Sequence, residues 1–425
     1  MKNNLALYGG ERIINHSFKR FNTIGKEEIR AATKVLKSGI LSSFLGSWSA
    51  EFYGGKYVKA LEKDFQKKYN VKYAVGVNSW TSGLICAVGS LDIEPGDEII
   101  LTPFTMSACA ASILHWNAIP VFVDIEENNF NLNPELIEKH ITPKTKAIMA
   151  VDIFGHSCDI SAIMKIAKNH NLKVISDSAQ SPWSKDKKGV IGTKADIGGF
   201  SLNYHKHIHT GEGGVIVTND KNLYNRMTLI RNHAEAVVGD MGRNDLNNMI
   251  GYNFRLGEIE AAIGIEQLKK LESIVKRRQE ICENLTKGLS KLNGLITPEI
   301  KKDNTHSFYI YPLKLDNLKI KVSRERIIQA LVAEGINDGL ANGYANLHLL
   351  PIFQEKIAYG KKGYPWSLTE NGRKISYNKG ICPVAEKLHD ITLINFEICL
   401  FDLSDSDVSL IIQTFKKVWE NLKNL

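Results

Sequence analysis

Between residues 72 and 218, short apolar runs alternate with longer segments of helical periodicity, and this alternation constrains the fold more than any other feature of the sequence. In the segment that starts at Ile160, for example, Ile163 and Ala167 recur at helical spacing. Continuous apolar runs are typical of strands buried on both faces of a parallel sheet. They lie at residues 98–101, 120–123, 147–151, 173–176 and 214–217. We therefore predict βαβ units that form an α/β domain around a mostly parallel sheet.

The remainder of the chain predicts a smaller α+β domain. A helix that begins near Leu256 and Glu258 and runs through Val275 is long enough to bridge from one domain to the next. Beyond it we predict a strand and two helices, at residues 309–313, 324–333 and 404–422. Residues 355–385 are weakly periodic, so we expect an irregular insertion there. The predicted domains are residues 1–257 and 258–425.

Composition excludes several classes of protein. With 43% hydrophobic and 24% charged residues, the chain is typical of a soluble globular protein. The formal net charge of +8 is modest and its basic residues are scattered, which does not indicate nucleic-acid binding. No stretch of about 18 apolar residues predicts a membrane span, and the six cysteines form no C-x-x-C pair. We therefore expect a cytoplasmic protein with neither membrane nor nucleic acid as partner.

Candidate functional residues follow the predicted strands, because ligands bind beyond the carboxyl ends of strands in open α/β sheets. Ser79, Thr81 and Ser82 follow the apolar run 73–77 and begin a helical pattern. Hydroxyl groups at a helix N-terminus suit a phosphate, although ordinary capping by Ser or Thr gives the same pattern. Asp177 and Ser201 also end apolar runs. The first could hold a protonated pyridine nitrogen and the second a phosphate oxygen, but a helix cap and a strand-terminal turn remain as alternatives.

A run from Asn203 to Gly214 carries one lysine, Lys206, among three histidines. If this run were a strand, the histidines at positions 205, 207 and 209 would share one face and could ligate a metal. The Thr-Gly-Glu-Gly-Gly ending instead favours a turn, and no further Cys or His cluster completes a metal site. Lys206 could be an amine with a lowered pKa that forms an imine, or an ordinary surface lysine.

Taken together, these segments resemble the DegT/StrS-type sugar aminotransferases. The family's Ser-Gly-Thr-Ala-Ala-Leu motif corresponds to residues 79–84, and its Glu-Asp-Ala-Ala-Gln motif corresponds to residues 176–180. In the family the Schiff-base lysine lies six residues before the Glu of a Gly-Glu-Gly-Gly motif. Counting back from Glu212 in this chain leads to Lys206. The similarity extends from Leu5 nearly to the C-terminus.

The resemblance implies a fold type I enzyme dependent on pyridoxal 5'-phosphate, with a mostly parallel seven-stranded sheet flanked by helices and a smaller α+β C-terminal domain. It implies that Lys206 is catalytic and holds the cofactor as a Schiff base, and that Asp177 pairs with the pyridine nitrogen. The other implied contacts are Thr81, Ser82 and Ser201 for the phosphate and Gln180 beside the ring hydroxyl. Asn253 is implied to reach the phosphate bound in a neighbouring subunit, so a homodimer with active sites at the interface is expected.

Three positions depart from the family pattern. Met106 stands where members place an aromatic residue on the cofactor ring, although a thioether can also cover a ring face. Trp80 replaces a small residue, and we expect it to crowd the phosphate turn or to form a wall for the substrate. The insertion at 355–385 lengthens the part of the chain that shapes substrate access in family members.

The function implied by the resemblance is transfer of an amino group from glutamate or glutamine to a keto sugar. The acceptor is expected to be nucleotide-linked, or a related phosphorylated ketone, in the synthesis of a surface polysaccharide or secondary metabolite. A sugar 3-dehydratase is an alternative, since some relatives have His in place of the lysine. A sensor that binds the cofactor without turnover is another. A Rossmann-type oxidoreductase is excluded, because no G-x-G-x-x-G follows an early strand.

Overall fold

The computed structural model of the protein describes residues 4–425 and contains a central seven-stranded sheet. Its strands are β1 (Tyr73–Val77), β2 (Glu98–Leu101), β3 (Ile119–Phe122), β4 (Thr145–Val151), β5 (Lys173–Asp177), β8 (Ile197–Ser201) and β9 (Gly214–Thr218). A small hairpin of β6 (Lys185–Asp186) and β7 (Gly189–Val190) precedes β8. The strand order is β1-β9-β8-β5-β4-β2-β3, and every pair from β8 to β3 is parallel. The predicted α/β architecture is confirmed.

The prediction of parallel direction is wrong for one strand. β9, which contains the apolar run 214–217, pairs antiparallel with both β1 and β8. The chain passes from Ser201 to Gly214 through a loop without a crossover helix, and these two residues are register partners. A direct return of this kind can only produce an antiparallel neighbour. The loop therefore lies beyond the C-terminal ends of the parallel strands.

Helices cover both faces of the sheet. They are α1 (Lys26–Ser38), α2 (Lys56–Tyr69), α3 (Trp80–Gly89), α4 (Ala108–His115), α5 (Ile160–Asn169), α6 (Lys221–Arg231) and α7 (Ala234–Val237). Several begin at side chains that cap free backbone amides, as Asp159 does for α5 and Asp220 for α6. Apolar side chains between α3, α4 and the sheet form the main core, which fixes where each strand ends relative to the others.

The C-terminal part is built on a four-stranded antiparallel sheet, in the order β10 (Leu295–Ile296), β11 (Tyr311–Leu315), β13 (Leu393–Phe396), β12 (Leu340–Ala341). The bridging helix α8 (Glu258–Leu289) leads into it, and α9 (Arg324–Ala333) and α13 (Asp405–Glu420) complete it. The predicted helices at 324–333 and 404–422 lie within two residues of α9 and α13, whereas α8 continues past the predicted Val275 to Leu289. The predicted strand 309–313 starts two residues later, because Tyr309 and Ile310 instead contact the backbone of Phe154 in the large domain.

The expected insertion is irregular in its connections but contains short helices, α11 (Glu370–Lys374) and α12 (Pro383–Lys387), with α10 (Pro351–Gln354) just before it. Its large side chains, including Trp366 and Tyr377, pack into the core of the large domain. Conversely, Leu5 and Ile14 near the N-terminus pack with the C-terminal sheet. Apolar packing thus crosses the predicted domain boundary in both directions.

Within residues 4–425, no helix combines the length and the apolar character that a membrane span needs. The six cysteines are all buried, and none of them forms a disulfide. Several of these thiols have a pKa raised by burial, so they act as protonated side chains.

Candidate active site

A cavity of about 410 Å³ lies at the carboxyl edge of the large sheet, where loops after β1, β2, β5 and β8 meet the loop before β9. Its volume lies within the range of about 300–1,000 Å³ found for small-molecule sites. The predicted site residues Thr81, Met106, Asp177, Gln180, Ser201 and Lys206 line it. The strand ends that the sequence indicated are therefore brought together in one place.

Asp177, the last residue of β5, is buried and accepts hydrogen bonds at both carboxylate oxygens. Oδ1 accepts the indole N–H of Trp80 at 2.7 Å and the backbone N–H of Ala179 at 3.0 Å. Oδ2 accepts the thiol of Cys109 at 3.1 Å. Burial raises the pKa of Asp177, and these hydrogen bonds and the nearby Lys206 oppose that rise. These hydrogen bonds hold the carboxylate in one orientation. Oδ2 accepts only a weak thiol donor, so it can accept a further hydrogen bond.

Lys206 lies in a turn after β8 and is buried, with its amine at the cavity wall. The Nζ atom is 4.0 Å from the centre of the Tyr309 ring. Burial lowers the pKa of Lys206 to about 8, although Cys399, Asp177 and Cys109 favour the charged form. A neutral amine is the nucleophilic form, so this environment prepares Lys206 to attack a carbonyl carbon near neutral pH.

The hydroxyl groups at the start of α3 divide between the cavity and the helix cap. Ser79 caps the helix by accepting the backbone N–H of Ser82 at 3.1 Å, and Thr81 is exposed to the cavity. The Ser82 hydroxyl donates to Asn78 Oδ1 at 2.7 Å and is not part of the cavity wall. Ser201 at the end of β8 also lines the cavity. Ser79, Thr81 and Ser201 are therefore the hydroxyls available to an anion here, together with the free amides of the α3 N-terminus.

Gln180 is fixed from two sides. Its Oε1 accepts the backbone N–H of Phe154 at 2.8 Å, and its Nε2 donates to the hydroxyl of Tyr344 at 3.0 Å. Burial raises the pKa of Tyr344, so its hydroxyl keeps its proton. The two hydrogen bonds thus fix the orientation of the Gln180 amide group, and Gln180 lines the cavity.

Met106 and Asn253 lie at more open positions. Met106 is 54% exposed and borders the cavity where the family places an aromatic residue. Asn253 is exposed outside the cavity, where its Oδ1 accepts the Nε–H of Arg255 at 2.7 Å. Its backbone carbonyl accepts Asn78 Nδ2 at 3.3 Å, so it lies next to the strand end that precedes α3.

Sequence reasoning missed several cavity residues, notably Cys109, Tyr309, Tyr344 and Glu397. The last three come from the C-terminal part, outside the large sheet whose strand ends were expected to carry the site. Glu397 has a pKa raised by burial, and its carboxylate faces the cavity beside the two tyrosines. Only its position just after β13 could have drawn attention to it.

The histidine run does not form the strand that the metal hypothesis requires. Residues 202–213 form a loop of turns and bends. His205 borders the cavity, whereas His207 is buried and its Nε2 lies 2.7 Å from the carbonyl of Ser307. His209 instead lies near the backbone N–H of Gly211. The three rings therefore diverge, and within residues 4–425 no group of three or more His, Cys, Asp or Glu side chains could hold a metal.

This donor set fits pyridoxal phosphate. A buried amine is available for the aldehyde, the Asp177 carboxylate for the ring nitrogen, and hydroxyls with a helix N-terminus for the phosphate. The unpaired acceptor capacity of Asp177 Oδ2 is the specific observation that suits a protonated pyridine.

Comparison with known proteins identifies an aminotransferase family. A model of the DegT/DnrJ/EryC1/StrS aminotransferase family matches residues 22–378. The spore coat polysaccharide biosynthesis protein SpsC of Bacillus subtilis is 35% identical over 360 residues, which cover 83% of this chain and 89% of that protein. GDP-perosamine synthase of Escherichia coli O157:H7 is 35% identical over 302 residues, covering 71% of this chain and 80% of its own. The aminotransferase from Psychrobacter cryohalolentis, a solved structure, aligns with a TM-score of 0.80 at 27% identity and covers 96% of this chain and 100% of that one.

Proposed function

The chain belongs to the DegT/DnrJ/EryC1/StrS aminotransferase family, and we propose that it moves an amino group from glutamate or glutamine to a keto sugar with pyridoxal phosphate as its cofactor. The observation that carries this proposal is the shared cavity of Lys206 and Asp177, a buried amine and a buried carboxylate. An amine with a lowered pKa and a carboxylate with a free acceptor site are the two groups that this chemistry requires.

Each residue has a defined task in this proposal. When bound, pyridoxal phosphate supplies an electron sink for negative charge at the Cα atom of the amino acid. Lys206 would hold the cofactor through its amine, and the same amine would move a proton at the Cα atom of the amino acid. Asp177 would accept a hydrogen bond from the ring nitrogen. Thr81, Ser201 and the α3 N-terminus would bind the phosphate.

The side of the cavity formed by the C-terminal part supports a sugar as acceptor. Tyr309, Tyr344 and Glu397 present two hydroxyls and a carboxylate there, which can accept and donate hydrogen bonds to a hydroxyl-rich molecule. The names of two relatives agree with this class, since one takes part in polysaccharide synthesis and the other produces a GDP-linked sugar. A nucleotide-linked acceptor fits best, with its nucleotide outside the cavity.

A homodimer completes the proposal. Asn253 is exposed and next to the strand end at Asn78, so it can serve the phosphate site of a second copy but does not reach its own cavity. Exposed apolar residues lie on the neighbouring segments: Leu41, Leu45, Trp48, Leu246 and Ile250. Exposed apolar residues concentrated in this way are typical of surfaces that another molecule covers.

Replacing Lys206 with Ala tests the proposal. We expect the wild-type protein to bind pyridoxal phosphate with visible absorbance and, after borohydride reduction, to carry the cofactor on Lys206 in peptide mapping. The K206A variant should lose the covalent adduct and at least about 10³-fold in turnover, because both the attachment point and the proton carrier are removed.

The matched control is K188A, which removes an exposed lysine away from the cavity and should leave adduct and turnover unchanged. Amino transfer is measured from glutamate and glutamine to a panel of keto sugars. Unaltered turnover in K206A would refute the assignment. Water elimination from the sugar would indicate a dehydratase instead, and cofactor binding without any turnover would indicate a sensor.

A further inference from the structure

Trp80 occupies a slot that this chain provides for it. The side chain is only 6% exposed and lies between the start of α3 and strands β8 and β9. A methyl group added at Gly199 would lie 1.9 Å from Cη2 of the indole, and one at Gly83 would lie 2.7 Å from Cε3. Two glycines thus make room for the ring. The indole thus packs against the sheet while Trp80 also lines the cavity, and the expectation that Trp80 crowds the phosphate turn or forms a wall for the substrate stays a prediction.

The indole reaches the carboxylate that is central to the proposed function. Its N–H donates to Asp177 Oδ1 at 2.7 Å, and the backbone N–H of Ala179 donates to the same oxygen at 3.0 Å. Two donors satisfy the two lone pairs of Oδ1. Oδ2 receives only the thiol of Cys109 at 3.1 Å, and a thiol is a weak donor. The remaining acceptor capacity of the carboxylate is therefore at Oδ2.

The environment makes this hydrogen bond consequential. Asp177 is buried, and a buried carboxylate tends to take up a proton unless donors stabilise its charge. Within residues 4–425 no arginine or lysine forms an ion pair with it within 4.0 Å, so neutral donors provide its direct contacts. The indole N–H at 2.7 Å is the shortest of these.

We propose that Trp80 is a positioning residue, which sets the rotation of the Asp177 carboxylate and keeps it ionised so that Oδ2 is available to the cofactor's ring nitrogen. This inference rests on the proposed function, because it assumes that Asp177 pairs with that nitrogen. It assigns Trp80 a role through Asp177 rather than in binding the phosphate or the substrate.

The experiment removes the indole N–H of Trp80 in two ways, once with the bicyclic ring kept and once with a smaller ring. We replace Trp80 with 3-benzothienylalanine, in which sulfur stands in place of the N–H, and in parallel make Trp80→Phe. The same pair of changes at Trp116 is the matched control, because Trp116 is 7% exposed and donates its indole N–H to the carbonyl of Ile85 at 2.8 Å. Trp116 does not line the cavity, so it reports the cost of losing a buried indole hydrogen bond away from the site.

Two quantities are measured: the dissociation constant for pyridoxal phosphate, and the pH midpoint of the visible absorbance of the bound cofactor. At position 80 we expect binding to weaken about tenfold, as loss of a hydrogen bond to a charged group implies. The midpoint should move to higher pH. With a weaker contact to Asp177 the ring nitrogen is protonated less, so the ring withdraws less electron density and the nitrogen of Lys206 becomes more basic. Changes at position 116 should leave both quantities unaltered.

A background of Asp177→Asn separates positioning from packing. If Trp80 acts through the carboxylate, its replacement in that background should produce no additional change in either quantity. The inference is overturned if the midpoint is unchanged at position 80, or if the same change persists in the Asp177→Asn background. Failure of the wild-type protein to bind pyridoxal phosphate would instead refute the proposed function, so the two failures are distinguishable.

Discussion

At the scale of single residues, Lys206 shows that the requirements of chemistry and of stability conflict in this protein. Burial places the pKa of its amine at about 8, so roughly one amine in ten is neutral at pH 7. The charged form, which is the majority at pH 7, loses its hydration in this buried position. The ring of Tyr309, whose centre is 4.0 Å from Nζ, compensates only part of the lost hydration energy. A residue that is placed for reactivity in this way destabilises the fold.

A stability measurement can detect this conflict. In Lys206→Met the side chain keeps its straight shape without charge, and we expect the variant to be more stable than wild type by roughly 3 kcal/mol at pH 7. The pKa is about 8 in the folded protein against an ordinary 10.5, so the penalty is complete below pH 8 and disappears as the pH rises toward 10.5. The advantage of the variant should therefore decrease across that interval.

Urea unfolding of the cofactor-free protein at pH 7 and at pH 9.5 measures the effect. Lys188→Met, at an exposed position, is the control and should change stability by less than about 0.5 kcal/mol. An equal or lower stability of Lys206→Met at pH 7 would contradict the argument that the amine is buried at a cost.

At the scale of elements, residues 347–388 act as a cover for the large sheet. β3 is one of the two edge strands, and the backbone carbonyl of Pro120 within it accepts a hydrogen bond from the hydroxyl of Tyr377 at 2.7 Å. The same hydroxyl accepts the indole N–H of Trp366 at 2.8 Å, and both side chains are buried. An uncovered edge strand can pair with another chain, so this segment protects the edge, and the hydrogen bond from Tyr377 to Pro120 anchors it to β3.

Tyr377→Phe tests this anchoring. The variant keeps the ring but leaves a buried carbonyl and a buried indole N–H without partners, so we expect a loss of about 2 kcal/mol in the free energy of unfolding. Tyr359→Phe is the matched control, because that hydroxyl donates to the carbonyl of Leu114 at 3.1 Å but the residue is 45% exposed. Water can replace its hydrogen bond, and its loss should be below about 0.5 kcal/mol. Equal losses in the two variants would show that Tyr377 has no special role.

The arrangement of the molecule as a whole concerns the surface next to Asn253, which we propose is covered by a second copy of the chain. The segments 44–52, 232–234 and 251–253 are joined by hydrogen bonds, for instance from Asn232 Nδ2 to the carbonyl of Leu45 at 2.8 Å. Ile250, adjacent to these segments, is 63% exposed. One surface of the molecule therefore presents both the exposed apolar groups and Asn253.

Ile250→Glu tests the proposed dimer. A charge placed in an apolar interface should dissociate it, and we expect a monomer in sedimentation together with at least about tenfold weaker pyridoxal phosphate binding, since Asn253 of the second copy would be lost. Leu318→Glu is the control, because Leu318 is 86% exposed in the C-terminal part and should leave both properties unchanged. A variant that remains dimeric, or a monomer with unaltered cofactor affinity, would contradict the shared site.

Signals within short stretches of the sequence were enough to predict the elements of the large sheet and several chemical groups of the site. Alternating apolar runs and helical periodicity located the strands of the large sheet, and the spacing to Glu212 located Lys206 in the motif that the family resemblance indicated. Asp177 could be found because a polar residue that ends a buried strand stands at the ligand-binding edge. Each of these inferences needed only a short stretch of chain.

Which distant residues meet depends on how the folded chain packs. The antiparallel direction of β9 depends on how its loop closes, and the cavity wall of Tyr309, Tyr344 and Glu397 depends on how the C-terminal part packs on the large domain. The hydrogen bond from Trp80 to Asp177 requires a slot at Gly199, a residue on another strand. Such contacts arise from packing between segments far apart in the chain, and no local pattern encodes them.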